Sequence, residues 1–208
     1  MYRRGSLEFS RVLGFSDGVF AIAMTLLVVG VVTPSLNDPD SVEDLAEGLR
    51  ELAPNLISFF ISFAVIGRYW LANHKFFAPL DAIDRGLLGL NLVYLAFVAF
   101  LPFPTALLGE FFDNPLSVSV YAVAIVSGME VLMFRHAHRA GLMHDRMPTD
   151  VFRWGLVQSA SPVAIFLLSV PVAFLSTVLA VAMWFLGIPF GIVSGRFKPE
   201  GADRFFAQ

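Results

Sequence analysis

Arg11, Ser16 and Asp17 stand at the entrance of a long apolar run, in the string Arg-Val-Leu-Gly-Phe-Ser-Asp-Gly that ends at Gly18. A charge within a membrane-spanning helix costs a few kcal/mol unless it finds a partner, a wet cavity or the interface. Arg11 and Asp17 are six positions apart, about 240° around a helix, so they do not face each other on one helix. Each then needs a partner on another helix or another subunit. The plainer alternative is that both anchor the helix at an interface, with Ser16 and Asp17 helping to cap it. Further along, Ile22, Leu26 and Val29 follow at i, i+4 and i+7 as one apolar stripe, with Thr25 beside it as the hydroxyl in mid-helix. Such a stripe is a lipid or packing face, or the wall of a narrow hydrophobic pore where several copies of one helix surround an axis.

A second constellation is Arg68, Tyr69, Trp70, Leu71, Ala72, Asn73, His74, Lys75. Trp70 and His74, four apart, share a helix face, so an indole and a titratable ring point the same way. They serve as an aromatic belt at an interface, or as hydrogen-bond partners for Asp17 or Ser16. Pro102 and Pro104 remove two backbone donors and break or kink a third helix near its outer end. His136, His138 and His144 lie among Arg135, Arg139 and Arg146, and the arginines oppose cation binding, so no metal site is expected there. There is no His-Glu-x-x-His pair, no Gly-x-Ser-x-Gly elbow and no Walker-type phosphate loop, which argues against an enzyme. No cofactor is implied. The absent Thr-Val-Gly-Tyr-Gly filter means that any ion selectivity comes from side chains.

The elements that position these residues follow from composition. In 208 residues, 57% are hydrophobic and only 15% charged, and the mean hydropathy is +0.72. A chain this apolar needs lipid as its solvent. A net charge of −3 with scattered basic residues excludes a nucleic-acid surface. With no cysteine, there is neither a disulfide framework nor a thiolate ligand. The polar start through Ser10 leads into an apolar stretch without a small-residue cleavage site, which favours a retained first helix over a removed signal peptide.

Runs of about 20 apolar residues, enough to cross a hydrocarbon core of roughly 30 Å, predict six spans. They cover 12–33, 52–71, 87–108, 116–134, 152–170 and 172–193, with a tight hairpin at Ser169, Val170 and Pro171. The expected fold class is all-α, a polytopic membrane protein forming one domain over 1–208. Of the 14 basic residues all but Arg50 fall on the side of the termini and the second and fourth loops. The positive-inside rule puts that side in the cytoplasm. The opposite side is acidic, with Asp38, Asp40, Glu43, Asp44, Glu47 and Glu51 after the first span. These carboxylates form a solvated loop, or they raise the local cation concentration at an outer mouth.

The first-helix string Arg11, Phe15, Ser16, Asp17, continuing Gly18 to Ile22, resembles the signature of the prokaryotic branch of the transmembrane protein 175 family of potassium channels. Trp70, Asn73 and His74, and the stretch from Leu101 to Glu110, look like that family's second and third helices. The resemblance implies a six-helix subunit that assembles as a homotetramer in a prokaryotic plasma membrane, both termini cytoplasmic, and passes potassium through a pore lined by the first helix. It implies a constriction at Ile22, with Thr25, Leu26 and Val29 also lining the pore. It further implies a hydrogen-bond network from Arg11, Ser16, Asp17, Trp70 and His74, with Phe15 and Asn73 in the same motifs, and no metal beyond the permeating potassium. Two rival readings remain from the residues alone. One is a proton-coupled transporter with Asp17 and His74 as a relay, disfavoured by the lack of an internal repeat; the other is a membrane scaffold.

Overall fold

Short polar side chains set where the helices begin. In this computed structural model, which describes residues 1–125, 128–143, 145 and 147–206, the Ser6 side chain accepts from the Phe9 N–H and caps α1, Leu7–Leu26. A single tight turn, Leu27–Gly30, extends it. The first span therefore starts about a turn earlier than the apolar run, and the cap is Ser6, while Ser16 and Asp17 lie mid-helix. An amphipathic helix, α2 (Val42–Glu51), is capped by Ser41 and carries Glu43, Asp44, Glu47 and Glu51 of the acidic first loop.

The second span is α3, Ala53–Phe77. The third is α4, Arg85–Phe100, followed by α5, Pro102–Glu110. Pro102 opens α5 where its missing N–H is harmless, so the two prolines break the span at Leu101 as their chemistry requires. The fourth span is α6, Pro115–Ile125, and α7, Met129–Arg139. The fifth is α8, Thr149–Ala173, and the last is α9, Thr177–Trp184, continued by α10, Gly187–Arg196. A short α11, Asp203–Phe206, follows. Six helical segments are long and apolar enough to cross a membrane, and the chain is a multi-pass membrane protein.

The expected hairpin at Ser169–Pro171 is corrected: α8 runs through it to Ala173 and the chain turns at Phe174–Ser176. Ser176, whose side chain accepts from the Leu179 N–H at 3.3 Å, starts α9. Prolines persist inside α8 because neighbouring hydroxyls can take over the freed carbonyls. Ser161 Oγ donates to the Gln158 carbonyl at 3.1 Å, the group that Pro162 leaves without its helical donor.

Hydroxyls also hold the spans together. Thr105 Oγ1 donates to Ser62 Oγ at 2.8 Å, and Ser62 meets the Tyr121 hydroxyl at 2.9 Å, joining α3, α5 and α6. Trp184 stacks on Tyr121 with ring centroids 4.8 Å apart and donates to Ser169 Oγ at 2.8 Å, which fastens α9 to α6 and α8. Outside the spans, β1 (Tyr2–Arg3) pairs antiparallel with β2 (Ala82–Ile83), a small ribbon that the helical reading does not anticipate. Beside it Asp84 caps α4 by accepting from the Leu87 N–H at 2.7 Å, and it meets His136 Nε2 at 2.9 Å. Burial alone would raise the Asp84 carboxyl. The Leu87 N–H, His136 and the Gly86 N–H outweigh it and leave the group below the ordinary carboxylate value.

Candidate functional site

The first helix has two unlike sides. One carries Phe9, Ser16, Phe20 and Ala23, with Leu27 on the turn beyond, all buried inside the subunit. The opposite one carries Arg11, Phe15, Gly18, Ile22, Thr25 and Val29, all exposed. At 100° per residue these sets fall on opposite faces of the cylinder.

On the inner side a polar chain runs between three spans. Asn91 of α4 donates from Nδ2 to Ser16 Oγ at 3.0 Å, and its Oδ1 receives Asn73 Nδ2 of α3 at 3.4 Å. The Ser16 hydroxyl donates onward to the Val12 carbonyl at 3.0 Å. All three side chains are buried. In hydrocarbon, amide and hydroxyl groups gain no water partner, so satisfying one another fixes how the helices meet. At the edge of the same helix pair, Trp70 Nε1 donates to Asp17 Oδ1 at 2.8 Å, a charge-assisted bond. His74 lies against Trp70 with ring centroids 6.0 Å apart, as their spacing predicts.

The structure therefore brings Ser16, Asp17, Trp70, Asn73 and His74 to one junction between α1 and α3. Arg11 and Phe15 stand apart on the exposed face, and among the described residues Arg11 has no hydrogen bond or ion pair within the chain. Nor do Asp17 and His74 bond to each other; the indole of Trp70 holds the carboxylate, so the relay the transporter reading needs is not assembled. Sequence reasoning missed Asn91, the centre of the inner chain. Its signal was available: it is the single amide in the apolar stretch from Leu87 to Leu101.

The stripe residues Ile22, Leu26 and Val29 are 61%, 45% and 70% exposed in the subunit, so much of each large apolar side chain is left uncovered. Thr25, also exposed, donates its hydroxyl to the Ile22 carbonyl at 2.9 Å. Of the histidines, His136 is bound to Asp84 and His138 stacks on Phe152 at 4.0 Å; His144 and Arg146 lie outside the described residues. Among the described residues no group of three acidic or histidine side chains could hold a metal.

Six apolar spans, with a polar junction tying the first three of them together, define a polytopic membrane protein. Comparison with known proteins narrows this. The family described as endosomal/lysosomal potassium channel TMEM175 matches residues 11–102, the three spans that hold the brace. A potassium channel of Streptomyces collinus is 34% identical over 182 residues, covering 84% of this chain and 87% of that protein. A potassium channel of Chamaesiphon minutus is 33% identical over 195 residues, covering 86% and 91%. The crystal structure of a lysosomal potassium-selective channel TMEM175 homologue from Chamaesiphon minutus superposes with a TM-score of 0.78 at 30% identity, over 91% of this chain and 99% of that one. The chain belongs to the TMEM175 family.

Proposed function

We propose that this protein is a potassium-permeable channel, a single six-span domain that assembles as a homotetramer in a prokaryotic cell membrane with both termini in the cytoplasm. The observation that carries the reading is the bare face of α1. Arg11, Phe15, Gly18, Ile22, Thr25 and Val29 recur every three or four residues, the period at which one helix meets copies of itself around an axis. The relatives named potassium channels supply the ion. Ions pass along the axis, and four copies of Ile22, with Leu26 nearby, form the constriction. Thr25 and Val29 continue the lining. Apolar rings dewet a narrow pore, so the closed state needs no plug, and opening is widening or wetting of the ring.

The brace has a corresponding task. Asp17 held by Trp70, and Ser16 held through Asn91 and Asn73, fix the rotation of α1 and so decide which residues reach the axis. Arg11, which has no hydrogen bond or ion pair among the described residues, takes its partner from a neighbouring copy. The test is potassium flux from liposomes containing the purified protein. The native protein passes potassium in unitary steps, Ile22→Asn raises conductance and relaxes selectivity, and Asp17→Ala lowers flux. Unchanged currents in Ile22→Asn would remove Ile22 from the constriction.

A further inference from the structure

Behind the brace, α3 stands apart from the last span. Two connected cavities of about 460 and 420 Å³ lie between α3, α7, α8 and α10, and both are walled by Arg68, Ala72, Glu130 and Gly191. On α10, Gly187, Gly191 and Gly195 are spaced by four, the pattern that normally lets another helix approach closely. Here a Cβ built on any of the three meets nothing within 4 Å. Contacts at its far end hold α10 to α8: Ser194 Oγ donates to Gln158 at 3.1 Å, and Trp154 Nε1 to the Ser194 carbonyl at 3.2 Å. The gap is thus framed by hydrogen bonds.

The two chambers differ in chemistry along the membrane normal. One is apolar, with Ile61 and Val65 of α3 facing Ile165 and Phe166 of α8 and Ile188 of α10. The other lies at the C-terminal ends of α3 and α10 and the N-terminal end of α8, where Arg68, Lys75 and Lys198 border it beside Gln158. This is the end that bears nearly all the basic residues of the chain. Lys198 pairs with Asp203 and Arg68 interacts electrostatically with Glu130, while among the described residues Lys75 makes no hydrogen bond or ion pair. Glu130, which accepts from the Tyr94 hydroxyl at 3.0 Å, sits at the junction of the two chambers.

We propose that one anionic phospholipid occupies this cleft, an acyl chain in the apolar chamber and its phosphate at the basic end beside Lys75 and Arg68. The polarity of the cleft, charged at the membrane face and greasy within, matches that of a lipid and suits neither a wholly apolar helix nor a soluble anion. Basic pockets between spans are a recurring mode of anionic headgroup binding, in which each Lys or Arg contributes about 1 kcal/mol, about a fivefold change in affinity. The site is separate from the bare face of α1 and does not depend on what the pore conducts.

The test is native mass spectrometry of the purified, delipidated full chain after incubation with equal amounts of phosphatidylglycerol and phosphatidylcholine. Phosphatidylglycerol is retained in preference. Lys75→Gln, an exposed position, lowers its retention about fivefold and leaves phosphatidylcholine unchanged. Gly191→Leu, which projects into open space, fills the cleft and abolishes retention at an unaltered melting temperature. Equal retention of the two lipids, retention of neither, or an unchanged preference in Lys75→Gln would overturn the proposal, and the last reading stands even where Gly191→Leu fails to fold.

Discussion

Asn91 joins three spans through two hydrogen bonds of unequal quality, and its contribution to stability follows from them. The bond to Ser16 at 3.0 Å is of ordinary length, and the one from Asn73 at 3.4 Å is long. Orphaning a buried donor in a water-soluble core costs about 1–3 kcal/mol. Between membrane helices the coupling averages about 0.6 kcal/mol and reaches about 1.7, because segments unfolded in the membrane also find partners. Asn91→Ala should therefore destabilise by about 1–2 kcal/mol, most of it through Ser16. The decisive measurement is a double-mutant cycle with Ser16→Ala, unfolding the purified protein reversibly in mixed micelles. The Ser16–Asn91 coupling should lie between about 0.6 and 1.7 kcal/mol. Thr105→Val breaks a different chain of hydroxyls and shares no partner with Asn91, so with Asn91→Ala it should be additive within about 0.5 kcal/mol. A Ser16–Asn91 coupling below about 0.3 kcal/mol, inside the scatter of additive pairs, would refute the view that this chain braces α1.

Trp70→Phe keeps a ring against His74 but removes the N–H that Asp17 accepts. Since both partners are exposed, it should cost no more than about 1 kcal/mol in stability while lowering potassium flux in liposomes; full flux would show that the bond does not set the rotation of α1. Asp84 sits below its ordinary value in the folded chain, so the stability it contributes is complete above the ordinary carboxylate pKa and is lost as pH falls through the folded value. Melting temperature should drop as pH is lowered from about 4, and Asp84→Asn should flatten that drop. A Cβ on Gly109 would lie 2.9 Å from the Asn55 backbone, so Gly109→Ala should destabilise by about 1–3 kcal/mol through overpacking, measured by the same micelle unfolding.

Much of the fold was legible because a bilayer demands so much of a sequence. Runs long enough to cross the hydrocarbon had to be helices, and each of the six helical segments found among the described residues overlaps an apolar run, with ends that differ by several residues. What failed was punctuation. Pro171 reads as a turn by the rules for soluble chains, yet α8 carries it and Pro162 internally, and at Pro162 the Ser161 hydroxyl takes over the freed carbonyl. The turn signal was Ser176, a capping residue in an otherwise apolar stretch. At the candidate site, spacing alone shows that Arg11 and Asp17 need separate partners and that Trp70 and His74 share a face. It does not show that Trp70 takes Asp17, because that depends on how α3 lies against α1, a tertiary fact. Asn91 was overlooked for a different reason: uncharged, it lacks the cost that makes Asp17 conspicuous, although a lone amide among apolar neighbours faces the same lack of water.

Under the proposed pore, the two faces of α1 separate stability from transport, and this division accounts for the placement of its residue types. Ser16, Phe20 and Ala23 are inside, where polar bonding and close packing fix the helix within its own subunit. Ile22 and Val29 are outside, where such side chains gain nothing from the subunit that carries them. A bare apolar stripe on a monomer is satisfied by lipid or by other copies. Lipid makes no use of a glycine, yet Gly14 and Gly18 also lie exposed, and a Cβ at either would meet open space within the subunit. Small residues on a helix surface permit close approach of another backbone, and none comes from this chain. The exposed Arg11 is consistent with this, a cation in the second turn of a spanning helix with no hydrogen bond or ion pair among the described residues. Stripe, glycines and arginine lie on one side of α1, and the proposed assembly around that helix would give all three a neighbour.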